Sequence, residues 1–291
     1  MNEPSGHPEI RTVHFTVNGL DFDVLASGPA AGELVLLLHG FPETSHSWRQ
    51  LMPKLAAAGY RVVAPDGRGV SAGARPLAVS AYAIEHLVSD VLGLADQLGA
   101  ARFHLVGHDW GGAVAWQVAG RYPERLRTLT VVSTPHPAAF RRALHDPSTD
   151  QATRSGYMKV FRSPEGEDMW LGRGVDGLRD MYEQAGLTRD QAEPYVQVFS
   201  ERAALTAFLN WYRAADPTSA AGMQPIITPT LYVWSTEDLA LGREAAEWTA
   251  EHVKGFYRFE VFEGVSHWIP EQAPERLAAL LLAHLRREEG R

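Results

Sequence analysis

Short apolar runs alternate with longer amphipathic stretches along the first half of the chain. Residues 12–17 and 22–26 flank Asn18-Gly19, a dipeptide that supplies the positive φ angles a tight hairpin turn needs, so the chain is predicted to open with a β-hairpin. Leu34–Leu38 is continuously apolar, as a strand covered on both faces should be, and ends at His39-Gly40-Phe41-Pro42. Residues 60–64 read as the next such strand, 82–98 has the length of a helix, and 103–106 is again a buried strand. A Gly-rich turn at 107–112 opens an Ala/Val/Trp-rich helix reaching about Tyr122, and Leu126–Val132 forms one more strand. Strand, helix, strand in this order means a parallel sheet with right-handed crossovers.

From His136 to about Met223 the strand signal stops. Segments such as 180–184 and 203–214 carry Arg, Glu, Gln and Tyr at helix-compatible spacing, so 137–222 is read as a helical lid between the two parts of a core domain, 1–136 and 223–291. The strand rhythm returns at 230–234 and 256–262, which brings the strands to eight. An apolar-striped helix, Pro274–Leu285, precedes a charged tail at 286–291.

Composition narrows the chemistry. The 291 residues include no cysteine, which removes disulfides, cysteine-ligated zinc, iron–sulfur clusters and thiol nucleophiles together. Any covalent catalysis must use Ser, Thr, Asp, Glu, Lys or His. The net charge of −8, with no basic stretch interleaved with aromatics, argues against a nucleic-acid partner. Residues 1–6 lack a basic region followed by an apolar stretch, and Leu34–Leu38 is far too short to span a bilayer. A soluble, unprocessed, cytoplasmic protein is expected.

Gly107-His108-Asp109-Trp110-Gly111-Gly112 lies between a buried strand and a helix. This is the layout of a nucleophile elbow, G-x-S-x-G, with Asp in the place of Ser. Asp109 could equally cap the following helix, and on this motif alone the two readings stand nearly level. Gly69-Val70-Ser71-Ala72-Gly73 matches the elbow letter for letter, but it runs into Ala74-Arg75-Pro76 without the helix an elbow requires, so Ser71 is read as part of a structural loop. Backbone N–H groups at Phe41 and Trp110 could point at one developing negative charge, although an ordinary Gly-Pro turn would also explain 39–42.

His267 follows the last strand and is a candidate general base. Asp238, or its neighbour Glu237, follows the penultimate strand and could orient it. Active sites of open α/β sheets gather at the C-terminal ends of the strands, where Asp109, the acid and His267 would all sit. His104 and His108 are spaced like a metal pair on a helix. Along a strand and its turn that spacing separates them by roughly 13 Å, so His104 is read as a strand residue and His108 as part of the elbow.

Throughout its length the chain resembles the α/β-hydrolase superfamily, and within it the epoxide hydrolase family. The resemblance is carried by His39-Gly40-Phe41-Pro42-Glu43, Gly107-His108-Asp109-Trp110-Gly111-Gly112, Glu237-Asp238-Leu239 and Ser266-His267-Trp268. It implies a mostly parallel eight-stranded sheet with helices on both faces and a helical lid inserted after the sixth strand. It also implies two lid tyrosines that hold the epoxide oxygen. Phe208-Leu209-Asn210-Trp211-Tyr212-Arg213 resembles the segment carrying the second and points to Tyr212. The first is a looser match at Tyr157, where Met158 stands in place of a frequent glutamine, with Tyr182 and Tyr195 as alternatives.

The reaction so implied opens a small hydrophobic epoxide to a vicinal diol, with Asp109 as nucleophile and His267, oriented by Asp238, activating water. Phe41 and Trp110 would serve as oxyanion donors, and Trp110, Tyr157 and Tyr212 would contact substrate. No metal or organic cofactor is required, and the protein would act as a monomer or homodimer. A haloalkane dehalogenase shares the Asp/His/acid machinery, and Trp110 would suit a halide, whereas Phe41 stands where such enzymes usually place a polar residue. A non-catalytic binding protein of the same fold is a further alternative.

Overall fold

The structure is a computed structural model and describes residues 8–286. The N-terminal segment read above at 1–6, and the charged tail beyond Arg286, lie outside the described residues. The strands are β1 (Arg11–Val17), β2 (Leu20–Ser27), β3 (Leu34–Leu38), β4 (Arg61–Pro65), β5 (Phe103–His108), β6 (Leu126–Val132), β7 (Thr230–Glu237) and β8 (Tyr257–Ser266). They form one eight-stranded sheet in the order β1-β2-β4-β3-β5-β6-β7-β8. β2 runs antiparallel to both β1 and β4, and from β4 to β8 every pairing is parallel.

The opening hairpin turns where the dipeptide predicts. Val17 pairs with Leu20, and Asn18 and Gly19 adopt φ of 53° and 76°. β3 and β5 are buried along their whole length because helices cover both faces of the sheet. Leu36 and Leu38 join an apolar layer with helices Ile84–Gln97 and Trp110–Arg121, while Val35 and Leu37 join the opposite layer with Met52–Ala57 and Pro274–Leu285. Alternate residues of one strand thus feed opposite layers, which is why the run carries no polar position.

Three strands extend past their apolar runs. β5 continues through His108, β7 through Glu237 and β8 through Ser266. Backbone pairing carries them on, since His108 pairs with Val132 and Glu237 with Ser266. Polar residues that read as loop therefore sit on or directly beside strand ends. Between β6 and β7 the chain is helical from Pro137–His145 to Arg202–Ala214. Aromatic residues of this insertion pack into the same apolar cluster as the sheet.

Ser71 is where a loop residue would be. Its hydroxyl donates to the Asp66 carbonyl at 2.8 Å and accepts the Asp23 N–H at 3.0 Å, pinning the 66–74 loop to β2.

Candidate active site

Asp109 connects β5 to the helix Trp110–Arg121 with φ 47° and ψ −119°. A non-glycine residue held there costs on the order of 1–3 kcal/mol, so the surrounding contacts must enforce the turn. Close backbone approach does so. A Cβ on Gly107 would lie 2.2 Å from the Gly111 carbonyl oxygen, and one on Gly111 would lie 2.3 Å from that of Leu38. The Asp109 side chain makes no capping hydrogen bond to its helix. It turns instead toward the strand ends, where the Phe41 N–H donates to Oδ1 at 2.8 Å and Oδ2 lies 3.6 Å from His267 Nε2.

Phe41 is aimed by its ring. It packs edge-on against Phe161, Trp170 and Tyr212 at centroid distances of 5.5, 5.0 and 5.6 Å, so the helical insertion grips the loop that presents its N–H. Trp110 is the first residue of its helix, where a backbone N–H has no intrahelical acceptor.

His267 Nδ1 lies 2.7 Å from Asp238 Oδ2. The other carboxylate oxygen, Oδ1, accepts the N–H groups of Ala240 and Leu241 at 2.8 and 2.9 Å. Asp238 is buried and Glu237 exposed, so Asp238 is the acid brought to the imidazole. Burial works against charge on His267, but the charge of Asp238, the nearby Asp109 carboxylate and the hydrogen bond to Asp238 overcome it and raise the imidazole well above its usual pKa. Burial likewise pushes the Asp109 carboxyl up. The adjacent His267 and its charge, with the charge of His108 and the Phe41 N–H, outweigh it and leave Asp109 below the ordinary carboxylate value.

Asp109, Trp110, Tyr157 and Tyr212 line one cavity of about 30 Å³, whose other walls include Phe140, Met158 and Leu241. The rings of Tyr157 and Tyr212 are 6.4 Å apart, and Tyr212 stands edge-on to Trp110 at 5.0 Å. Burial first, and after it the Asp109 charge for Tyr157 and the proximity of Tyr157 and the Asp109 charge for Tyr212, raise both phenols, so both keep their protons and stay neutral. The alternatives are occupied elsewhere. Tyr182 donates to the Pro42 carbonyl at 2.7 Å and Tyr195 to Glu271 Oε1 at 2.5 Å.

The sequence matches a family model described as the alpha/beta hydrolase fold over residues 33–170. It is 34% identical to mouse epoxide hydrolase 4 over 94% of this chain and 79% of that protein, and 32% identical to epoxide hydrolase A of Mycobacterium tuberculosis over 96% and 98%. It is also 35% identical to the AB hydrolase superfamily protein YfhM of Bacillus subtilis over 93% and 96%. Among solved structures, epoxide hydrolase A from Mycobacterium thermoresistibile superposes with a TM-score of 0.81 at 29% identity, over 96% of this chain and 98% of that one. The chain belongs to the epoxide hydrolase family of α/β hydrolases.

In this epoxide hydrolase fold two residues to which the sequence reading gives no role in the chemistry, Glu43 and the elbow residue His108, lie behind Asp109, Asp238 and His267. His108 Nδ1 is 2.9 Å from Glu43 Oε2 and its Nε2 is 3.0 Å from the His267 carbonyl oxygen. The carbonyl can only accept, so His108 donates there and pins the backbone of His267. Glu43 is fully buried and also accepts the Gly40 N–H at 2.8 Å, which ties the 39–42 loop to the elbow. Its neighbours in sequence offer no sign of this pairing, because the two residues lie 65 positions apart. His104 and His108 have separate partners. His104 contacts Thr128 Oγ1 at 2.8 Å and Glu33 Oε2 at 3.2 Å, as a strand residue would.

Proposed function

We propose that the protein hydrolyses small hydrophobic epoxides to vicinal diols through an ester on Asp109, with 137–222 as the lid over the site. The observation that carries this reading is the setting of Asp109: an ionised carboxylate that shares one cavity with two protonated phenols, Tyr157 and Tyr212, and has the imidazole of the His267/Asp238 pair 3.6 Å from its Oδ2. A carboxylate needs no base to become a nucleophile, which suits attack on an sp³ carbon.

The two oxygens of Asp109 have different surroundings and so different tasks. Oδ2, free of the Phe41 N–H, attacks the epoxide carbon, while Tyr157 and Tyr212 donate hydrogen bonds to the ring oxygen as the carbon–oxygen bond breaks. Oδ1 remains the ester carbonyl. Esterification removes the negative charge of Asp109, one of the influences that keep the proton on His267. The imidazole can then release that proton to the alkoxide left on the ring oxygen, and its Nε2, now bare, takes one from a water attacking Cγ of Asp109. The charge developing on Oδ1 meets the N–H groups of Phe41 and Trp110. Collapse breaks the Cγ–Oδ2 bond and His267 returns the proton to the departing diol oxygen; the second proton of the water then passes from the new Asp109 carboxyl to His267, which regenerates the carboxylate, one of its oxygens derived from water, and the protonated imidazole.

Incubating the pure protein with styrene oxide should yield the diol. A single turnover in ¹⁸O-water should leave the label on the peptide containing Asp109. Label found only in the diol would overturn the ester route. Bromide release from 1-bromobutane without diol formation would make the protein a dehalogenase, and neither product would make it a binding protein.

A further inference from the structure

Behind His267 lie two carboxyl groups that this mechanism does not use. Glu43 and Glu271 are both buried, and each has one oxygen without a partner: Oε1 of Glu43 and Oε2 of Glu271. Their other oxygens are satisfied, Glu43 Oε2 by Gly40 and His108, and Glu271 Oε1 by the Tyr195 hydroxyl. Glu271 belongs to the short helix Ile269–Gln272, which begins two residues after His267. Packing places them on one side of His267: the Tyr195 ring, whose hydroxyl holds Glu271, lies 5.8 Å from that of Tyr182, whose hydroxyl holds the carbonyl of Pro42, the residue before Glu43. Two buried anions with bare oxygens in one such pocket would be costly, and a proton on one of them removes the cost.

We propose that Glu271 keeps its proton at neutral pH and directs it toward the unpartnered oxygen of Glu43, which makes Glu271 a positioning residue for the hydrolytic half of the reaction. Glu43 then remains the anion that accepts from His108 and Gly40, and His108 continues to hold the His267 carbonyl.

The charged and titratable groups around Glu271 agree with this division. Burial and the charge of Glu43 push Glu271 up, and they outweigh the Tyr195 hydrogen bond and the His267 charge that pull it down. Glu43 is pushed up by burial, but the charge and hydrogen bond of His108 bring it below the usual value. Tyr182 and Tyr195 are raised, by burial first, and stay neutral. His46, packed edge-on to Tyr195 at 6.2 Å, is lowered to about 4 by its burial and by Arg49, so it brings no positive charge at neutral pH.

The test uses the whole protein and Glu271→Gln, Glu43→Gln and Glu271→Leu. A carboxyl protonated in the folded state loses stability relative to the unfolded chain as pH rises above the unfolded value, whereas glutamine does not titrate. The Tm of Glu271→Gln should therefore match that of the wild type near pH 5 and exceed it by a margin that widens steadily to pH 8. The infrared band of a protonated carboxyl at neutral pH should vanish in this variant. A margin that stays flat, or a band that disappears in Glu43→Gln instead, would overturn the assignment. Both measurements stand apart from turnover. The effect on turnover rests on the proposed ester mechanism: Glu271→Leu should lower kcat for styrene oxide with little change in KM, and Glu271→Gln should restore it. A Gln variant as slow as the Leu variant would refute the positioning role. Absence of diol from the wild type would instead refute the epoxide reading and leave the proton assignment intact.

Discussion

Replacing Asp238 by Asn changes a single atom, and the structure specifies which way the new side chain faces. Oδ1 of Asp238 accepts two backbone N–H groups, from Ala240 and Leu241, while Oδ2 faces His267 Nδ1. An asparagine has one acceptor and one donor end. Turning the NH₂ toward the two backbone donors would leave both unsatisfied in a buried site, at about 1–3 kcal/mol each. The oxygen therefore stays with the backbone and the NH₂ faces Nδ1. That nitrogen must then accept, which places the imidazole proton on Nε2, the atom that has to take a proton from water. Choosing between neutral imidazole tautomers costs far less than two buried donors, so the side-chain geometry decides the outcome.

Hydrolysis of the ester should slow by about 10⁴-fold, or about 5.4 kcal/mol, the order observed when a triad acid is amidated elsewhere. Attack by Asp109 does not need the imidazole as a base, so alkylation should survive. Mixing Asp238→Asn with excess styrene oxide should produce a stoichiometric burst and then a stall. Intact-mass measurement should show one substrate-sized adduct per chain, located on the peptide containing Asp109. Steady turnover within tenfold of wild type, with no adduct, would refute both the tautomer argument and the division of the reaction into two steps.

If the mechanism proposed above holds, Tyr212→Phe and Tyr157→Phe each remove one donor to the developing alkoxide, and each should slow the burst by about 10²–10³-fold; single-turnover kinetics on intact ester formation measures it, and an unchanged burst would remove that tyrosine from the reaction. Ser71→Ala should leave kcat unchanged while lowering stability by about 1–3 kcal/mol, because the Asp23 N–H and the Asp66 carbonyl both lose a partner; denaturant titration with a parallel diol assay checks this, and loss of turnover in a folded variant would reinstate Ser71. In the wild type the ester should accumulate as pH falls, because Asp238 continues to raise His267 after Asp109 is neutralised and a protonated imidazole cannot take a proton from water; acid-quench mass spectrometry from pH 8 to pH 5 should show the adduct fraction rising, and a constant fraction would contradict it.

The sheet and the elbow were open to reading along the chain because their causes are local. A strand buried on both faces must be apolar at every position, as in Leu34–Leu38, and a strand-to-helix turn this tight leaves no room for side chains at Gly107 and Gly111. Residue type at fixed offsets carries both signals. The resemblance to a known family then supplied Tyr212, and Tyr157 more loosely, from short segments of the insertion.

Tertiary structure decided what depends on pairing between distant positions. Glu237 and Asp238 are adjacent acids at one strand end, and only the bend after β7, held by Ala240 and Leu241, selects which of them meets His267. Tyr182 and Tyr195 are separated from Tyr157 and Tyr212 by what their hydroxyls already bind, a Pro42 carbonyl and a Glu271 carboxyl far away in sequence. The unequal surroundings of the two Asp109 oxygens and the buried Glu43, His108 and Glu271 group arise in the same way. No periodicity marks them, because a hydrogen bond between residues 65 or 159 positions apart constrains geometry at both ends without constraining the residues beside either one.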